Sequence, residues 1–208
     1  MRSIESNALI TAGIAFVLFV VLGVLVARRT PTRIDVEAVA LRGNGVGLAS
    51  LFTRLGYWPA VLVASIIAAG IALLIGIKLE AVAALIALQA LSQTAIVWIK
   101  PLFRRTRPDY WIVHQESDLS FPSGHSATGV VLYVGFAGLA ISATALPHDA
   151  ALALAIVLAI TAIGIAWSRL VLGAHYLTDV LGGSLFGFGS LSLGAAILAH
   201  IGFLTSLG

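Results

Sequence analysis

Six runs of apolar residues, each close to the length that crosses a bilayer, constrain this chain more than any other feature. They are Ala8–Ala27, Trp58–Ile77, Val82–Ile99, Ser126–Ala145, Ala150–Trp167 and Val180–Ile201, and none holds a Lys, Arg, Asp or Glu. A helix needs roughly 20 such residues to span the hydrocarbon core. The chain therefore reads as all-α: a polytopic membrane protein of six transmembrane helices. The first run is longer than the apolar core of a secretory signal, so it counts as helix one. Composition agrees, since 60% of the 208 residues are hydrophobic and only 10% are charged, against about a quarter charged in a soluble domain. The mean hydropathy is +1.05. Residues 1–208 are expected to form a single membrane domain.

Connections set the layout. Only a few residues around Lys78-Leu79-Glu80 join helices two and three, and Pro147-His148-Asp149 joins helices four and five. Those pairs are antiparallel hairpins. Segment 28–56 and the loops 100–125 and 168–178 then share one side of the membrane, with the termini and the tight turns on the other. Within segment 28–56, Leu48, Leu51, Phe52 and Leu55 follow helical spacing. This predicts a short interfacial helix between helices one and two, although an ordinary packed connector fits the same pattern. On helix three, Gln89, Gln93 and Lys100 fall on one stripe at 100° per residue, and polar groups in a membrane helix face the bundle interior. On helix six, Gly182, Gly183, Gly187, Gly189 and Gly194 read as a close-packing face.

Three dense polar motifs lie at helix ends on the shared side: Lys100-x6-Arg107-Pro108, Pro122-Ser123-Gly124-His125, and Ser168-Arg169-x5-His175-x3-Asp179. Their chemistry converges on phosphate. Lys100, Arg107 and Arg169 supply cations, and guanidinium forks match phosphate oxygens. Ser123 and Gly124 open a helix whose first N–H groups and dipole favour an anion, with Gly124 permitting close approach. His175 and Asp179 are four apart, so one helical turn would put them on one face. A carboxylate on one ring nitrogen fixes the tautomer and frees the other nitrogen to attack. His125 is the second titrating group, suited to protonate a leaving alkoxide. The same His125, His175 and Asp179 could also ligate a metal, but three neighbouring cations would repel one, so no metal or other cofactor is expected. Arg28, Arg29, Arg33, Arg104 and Arg105 read as topology or head-group arginines, and His114, His148 and His200 as interfacial polar residues.

The net charge is +3 and the pI about 9.7, yet the basic residues sit in short loops. Anionic head groups or a lipid phosphate in the bilayer are better partners than nucleic acid. Oligomeric state is not legible. The absence of cysteine rules out disulfides and thiolate catalysis.

In order and spacing the three motifs resemble the signature of the type-2 phosphatidic acid phosphatase superfamily, which also includes bacterial acid phosphatases and vanadium haloperoxidases. Tyr176-Leu177-Thr178-Asp179-Val180-Leu181-Gly182-Gly183 extends the likeness, with Leu177 where many relatives carry proline. The motifs cover residues 100–183. The resemblance implies that Lys100, Arg107, Ser123, Gly124 and Arg169 bind the phosphoryl group. His175 would become a phosphohistidine, Asp179 would hold its tautomer, and His125 would protonate the leaving group and then activate water.

The expected activity is metal-independent hydrolysis of a lipid phosphomonoester or pyrophosphate, such as polyprenyl pyrophosphate, phosphatidylglycerol phosphate or phosphatidate. A lipid phosphotransferase, a vanadate-dependent peroxidase and a non-enzymatic lipid-phosphate transporter are the competing classes. Sidedness draws two opposed arguments. Ten of the 12 Lys and Arg residues lie on the motif side, all but Arg2 and Lys78, which by the positive-inside rule points to the cytoplasm. Bacterial relatives present this site to the periplasm, and the expectation adopted is an inner-membrane protein with its site on the extracytoplasmic face.

Overall fold

The computed structural model describes residues 2–27, 31–109, 111–112, 116–143 and 145–201. Arg28, Arg29 and His114, given roles above, lie outside the described residues. In chain order the elements are α1 (Arg2–Val26), α2 (Arg33–Glu37), a 3-10 turn (Ala38–Leu41), α3 (Val46–Leu55), α4 (Trp58–Ile75) and α5 (Leu79–Phe103). They continue with α6 (Gly124–Thr128), a π-helical stretch (Gly129–Val134), α7 (Gly135–Ser142), α8 (His148–Val171) and α9 (Leu177–His200). No strand occurs among the described residues. Among the described residues, six helices are long and apolar enough to cross a membrane: α1, α4, α5, the continuous rod Gly124–Ser142, α8 and α9. The all-α polytopic expectation holds, as does this chain's nature as a multi-pass membrane protein. Outward-facing side chains are apolar, as with Leu74 and Trp98, because their solvent is lipid.

The rod Gly124–Ser142 lies at the centre, 67% buried against 11–44% for the other five spans. Lipid gives no hydrophobic drive for helices to associate, so close packing must hold the bundle, and small residues allow it. The glycine face expected on α9 does this. A Cβ on Gly183 would lie 2.2 Å from the Ser123 carbonyl oxygen, and one on Gly187 would lie 3.1 Å from that of Ala127. On the rod's other side, a Cβ on Gly129 would meet the Ala162 carbonyl of α8 at 3.1 Å. Phe19, Phe103, Phe121 and Phe186 fill the seam where α1 meets α5 and α9, with Phe19 stacked on Phe121 at 5.5 Å.

Segment 31–56 is more ordered than its sequence suggested. Thr32 caps α2, accepting from the Asp35 backbone while Asp35 accepts from Thr32. The predicted interfacial helix is present as α3. It has two working faces: Ala49 and Thr53 are buried and Phe52 packs on Gly164 of α8, while Leu48, Leu51 and Leu55 remain exposed. Both the interfacial and the packed-connector readings were therefore partly right.

The three motif-bearing segments and segment 31–56 are stitched together at one end of the bundle. Gly43 N–H donates to the Val171 carbonyl, Ile112 to Leu172, Ser120 to Arg105, and Ser123 to Asp179. Glu5 and His200, near the termini, pair at 2.9 Å at the other end.

Candidate active site

Helix α5 carries its polar stripe inward, as expected. Gln89 Nε2 donates to Thr128 Oγ1 at 2.8 Å. Gln93 Nε2 donates to the same hydroxyl and to the Gly124 carbonyl, at 3.0 and 3.1 Å. These bonds tie α5 to the start of the rod and set Lys100, on the last turn, beside Gly124 and His125. Arg104 ends α5 in the left-handed region at φ 50°, a common C-terminal conformation. The chain reverses there, leaving Arg104 exposed and turning Arg105 inward.

A cavity of about 210 Å³ opens at this end. Lys100, Arg107, Gly124, His125 and His175 line it, with Glu116, Asp118, Gln93 and an apolar wall of Trp58, Ile96 and Val97. Among the expected site residues, Ser123, Arg169 and Asp179 stand behind this lining. Ser123 is the N-cap of α6, and its Oγ accepts from the Ser126 amide and hydroxyl. Arg169 is 2% exposed and donates to Thr53 Oγ1 at 2.6 Å and to Glu116 Oε1 at 2.5 Å.

His175 is buried at the cavity wall, just before α9. Its Nε2 accepts from Arg107 Nη1 at 2.9 Å, and since a guanidinium only donates, that nitrogen carries a lone pair. The ring hydrogen therefore sits on Nδ1. The expected direct bond from Nδ1 to Asp179 is long, at 3.6 Å to Oδ2. Ser120 lies beside both and bridges them: its Oγ is 3.4 Å from Nδ1 and donates to Asp179 Oδ2. Burial, followed by the Arg107, Arg169 and Lys100 charges, holds the His175 pKa well below the usual imidazole value. The ring is neutral at neutral pH.

His125 faces the same cavity, packed edge-on against the Tyr57 ring at 4.5 Å. A Cβ on Gly56 would come within 2.4 Å of the imidazole, so the α3–α4 junction holds the ring closely. Its Nε2 is buried and has no hydrogen-bond partner among the described residues.

The cations are engaged by carboxylates that sequence reasoning missed. Lys100 pairs with Asp118. Arg107 pairs with Asp118 and, at 2.7 Å, with Glu116, which also takes Arg169. Three cations against two carboxylates leave one net positive charge. Glu116 and Asp118 thus occupy donor positions that any bound anion would need. Hydrogen bonds and charge from Lys100 and Arg107 outweigh burial and keep the Asp118 carboxyl below its ordinary pKa.

Arg105 is a correction. Read from sequence as a topology or head-group arginine, it is 1% exposed. Its Nη1 donates to Asp179 Oδ1 and Thr178 Oγ1, both at 2.6 Å, and its Nη2 to Asp35 Oδ2 at 2.7 Å. A buried guanidinium without carboxylates would carry a large desolvation cost, so its partners define its place. Arg33 and Arg104, read in the same way, are exposed.

The PAP2 superfamily pattern matches residues 78–200. Phosphatidylglycerophosphatase B of Bacillus subtilis (strain 168) is 34% identical over 89 residues, which are 43% of this chain and 44% of that protein. The match therefore spans less than half the length of that relative. A crystal structure described as the first transmembrane PAP2 type phosphatidylglycerolphosphate phosphatase from Bacillus subtilis shares this fold. Its TM-score is 0.77 at 23% identity, covering 92% of this chain and 97% of that one. The three polar motifs meet at one end of a six-helix bundle, and the superfamily pattern runs through all of them from Lys78 to His200: this chain belongs to the PAP2 superfamily.

Proposed function

We propose that this protein is a membrane lipid phosphatase that removes phosphate from a lipid phosphomonoester or pyrophosphate through a phosphohistidine on His175. One observation carries the reading. His175, with a lone pair on Nε2, borders a cavity that has fixed cations on one side and Trp58, Ile96 and Val97 on the other. Such a cavity suits a substrate with an anionic head and an apolar tail. The names of the two relatives put phosphatidylglycerol phosphate first, ahead of polyprenyl pyrophosphate and phosphatidate.

In this mechanism Lys100, Arg107 and Arg169 neutralise the phosphoryl oxygens, and Gly124 lets the rod's first N–H groups approach them. Ser123 shapes that turn. Nε2 attacks phosphorus as Arg107 moves from the nitrogen to the phosphate. The P–O ester bond breaks, and His125 gives its proton to the leaving alkoxide. The arriving negative charge favours the protonated form of His125. Water, deprotonated by His125, then cleaves the P–N bond and releases phosphate. Fixed cations do the work that a metal ion performs in other phosphoryl-transfer sites. The site is assigned to the extracytoplasmic face of the cell membrane.

The test is phosphate release from a panel of purified lipid phosphates in detergent, with and without EDTA. Turnover should survive chelation, stop with vanadate, and fall by several orders of magnitude in His175→Ala. Activity restored by a divalent ion after EDTA, or an active His175→Ala, would discard the mechanism.

A further inference from the structure

Asp35 lies in α2, far from the three motifs in sequence and before the superfamily match begins at residue 78. It is 2% exposed. Its carboxylate accepts from the Thr178 amide and hydroxyl, both at 2.9 Å, and from Arg105 at 2.7 Å. Hydrogen bonds from Thr178, Thr32 and Arg105 outweigh burial and keep it ionised. Arg105 is thereby held between two carboxylates, Asp35 and Asp179. Ser120, whose amide donates to the Arg105 carbonyl at 2.9 Å, places its hydroxyl within reach of both Asp179 and His175.

Charge explains why two carboxylates flank one guanidinium. Arg105 paired with Asp179 alone would form a neutral unit, with nothing left to favour a positive charge on the His175 ring. Asp35 offsets Arg105, so the triad keeps one net negative charge facing Nδ1. When Nε2 bonds to phosphorus the ring becomes cationic, and in a water-poor site an uncompensated anion nearby stabilises it. All four oxygen positions are also accounted for. Asp179 Oδ1 takes Arg105, while its Oδ2 takes Ser120 and the Tyr176 amide. Asp35 Oδ1 takes Thr178 and its Oδ2 takes Arg105 and Thr32. The carboxylates cannot turn without breaking several bonds.

We infer that Asp35, Arg105 and Ser120 are positioning residues for His175: Ser120 relays the Nδ1 hydrogen to Asp179, and the Asp35–Arg105 pair sets the orientation and net charge of that relay. This rests on His175 being the nucleophile. None of the three touches the phosphoryl group, so their removal should lower kcat and leave KM in place.

Ser120→Ala, Ser120→Thr, Asp35→Asn and His175→Ala are purified in detergent and compared with wild type for thermal unfolding, kcat and KM on the lipid phosphate turned over fastest. In parallel, the Nδ1–H proton of His175 is followed by NMR, assigned by its loss in His175→Ala. Ser120→Ala and Asp35→Asn should lose about 10- to 100-fold in kcat, the range for a hydrogen bond to a charged group, with KM within twofold. Ser120→Thr, which keeps the hydroxyl, should recover most of it. The Nδ1–H signal should move upfield and exchange faster in Ser120→Ala, a result that needs no turnover. An unmoved signal, or a folded Ser120→Ala with wild-type kcat, overturns the inference while an inactive His175→Ala leaves the phosphatase reading standing. An active His175→Ala sinks that reading instead. Should Asp35→Asn fail to fold, Ser120→Ala, which deletes one buried hydroxyl, still decides.

Discussion

Glu116 offers a quantitative perturbation. Its carboxylate binds Arg107 at 2.7 Å and Arg169 at 2.5 Å, its side chain is 20% exposed, and the two arginine side chains are 6% and 2% exposed. A phosphoryl group reaching those forks must first displace it. Two unit charges at ~4 Å attract by about 4 kcal/mol at an effective dielectric of ~20, but desolvation offsets much of that. A net value of about 1.5–3 kcal/mol for hydrogen bonds between charged groups is the better guide. Glu116→Gln removes the competing charge at nearly constant shape, so an oxyanion should bind more tightly by about 10- to 100-fold, at ~1.4 kcal/mol per tenfold. Asp118 provides the internal comparison. Its side chain is 53% exposed, and exposed pairs are worth about 0.2–1 kcal/mol, so Asp118→Asn should gain less than about fivefold. The assay is vanadate inhibition of lipid phosphate hydrolysis in detergent, with thermal unfolding alongside. Without ligand, Glu116→Gln should melt at a lower temperature, because two buried guanidinium groups lose their counter-charge, and vanadate should restore it. Unchanged or weaker vanadate binding in Glu116→Gln would show that the carboxylate helps to build the anion site rather than competing for it.

Three further outcomes follow from the geometry. His175 should remain neutral at pH 6 in a ¹⁵N-histidine NMR titration, because folding lowers its pKa below the unfolded imidazole value. The stability associated with its neutral form should erode only as pH falls below about 6.5, by about 1.4 kcal/mol per unit at most; Arg107→Gln should shift the titration upward, and an imidazolium at pH 6 in wild type would refute the assignment. Gly183→Ala forces a methyl to 2.2 Å from the Ser123 carbonyl oxygen and should cost about 1–3 kcal/mol or more along with activity, while Gly138→Ala, with none of the described residues within 4 Å of the added methyl, should be neutral; equal melting temperatures would argue against this packing. In a chain without native cysteine, Ser117→Cys should react with a membrane-impermeant maleimide in intact cells and His148→Cys should not, and the opposite pattern would place the site at the cytoplasmic leaflet.

Much of this protein is written locally. A run of apolar residues as long as the bilayer core is thick can only be a spanning helix, because unpaired backbone groups in lipid cost too much. Helix number, hairpin pairing and the shared end of the three motifs followed from length and counting alone. The inward stripe of Gln89, Gln93 and Lys100 and the close-packed glycines of α9 were legible for the same reason, since helical periodicity fixes which residues share a face. Tertiary structure decided what no period encodes. Three cations gathered at one bundle end need anions, but only the folded loop shows that Glu116 and Asp118 supply them. Arg104 and Arg105 are indistinguishable as letters. The left-handed turn at Arg104 sends one outward and buries the other between Asp179 and Asp35, a residue 70 positions away. The four-residue spacing of His175 and Asp179 suggested a direct bond, yet His175 precedes the helix that carries Asp179, and at the resulting 3.6 Å separation Ser120, placed beside both, bridges them. Spacing along the chain determines which side chains share an element; whether two of them touch depends on where that element begins, and packing against the rest of the fold sets that.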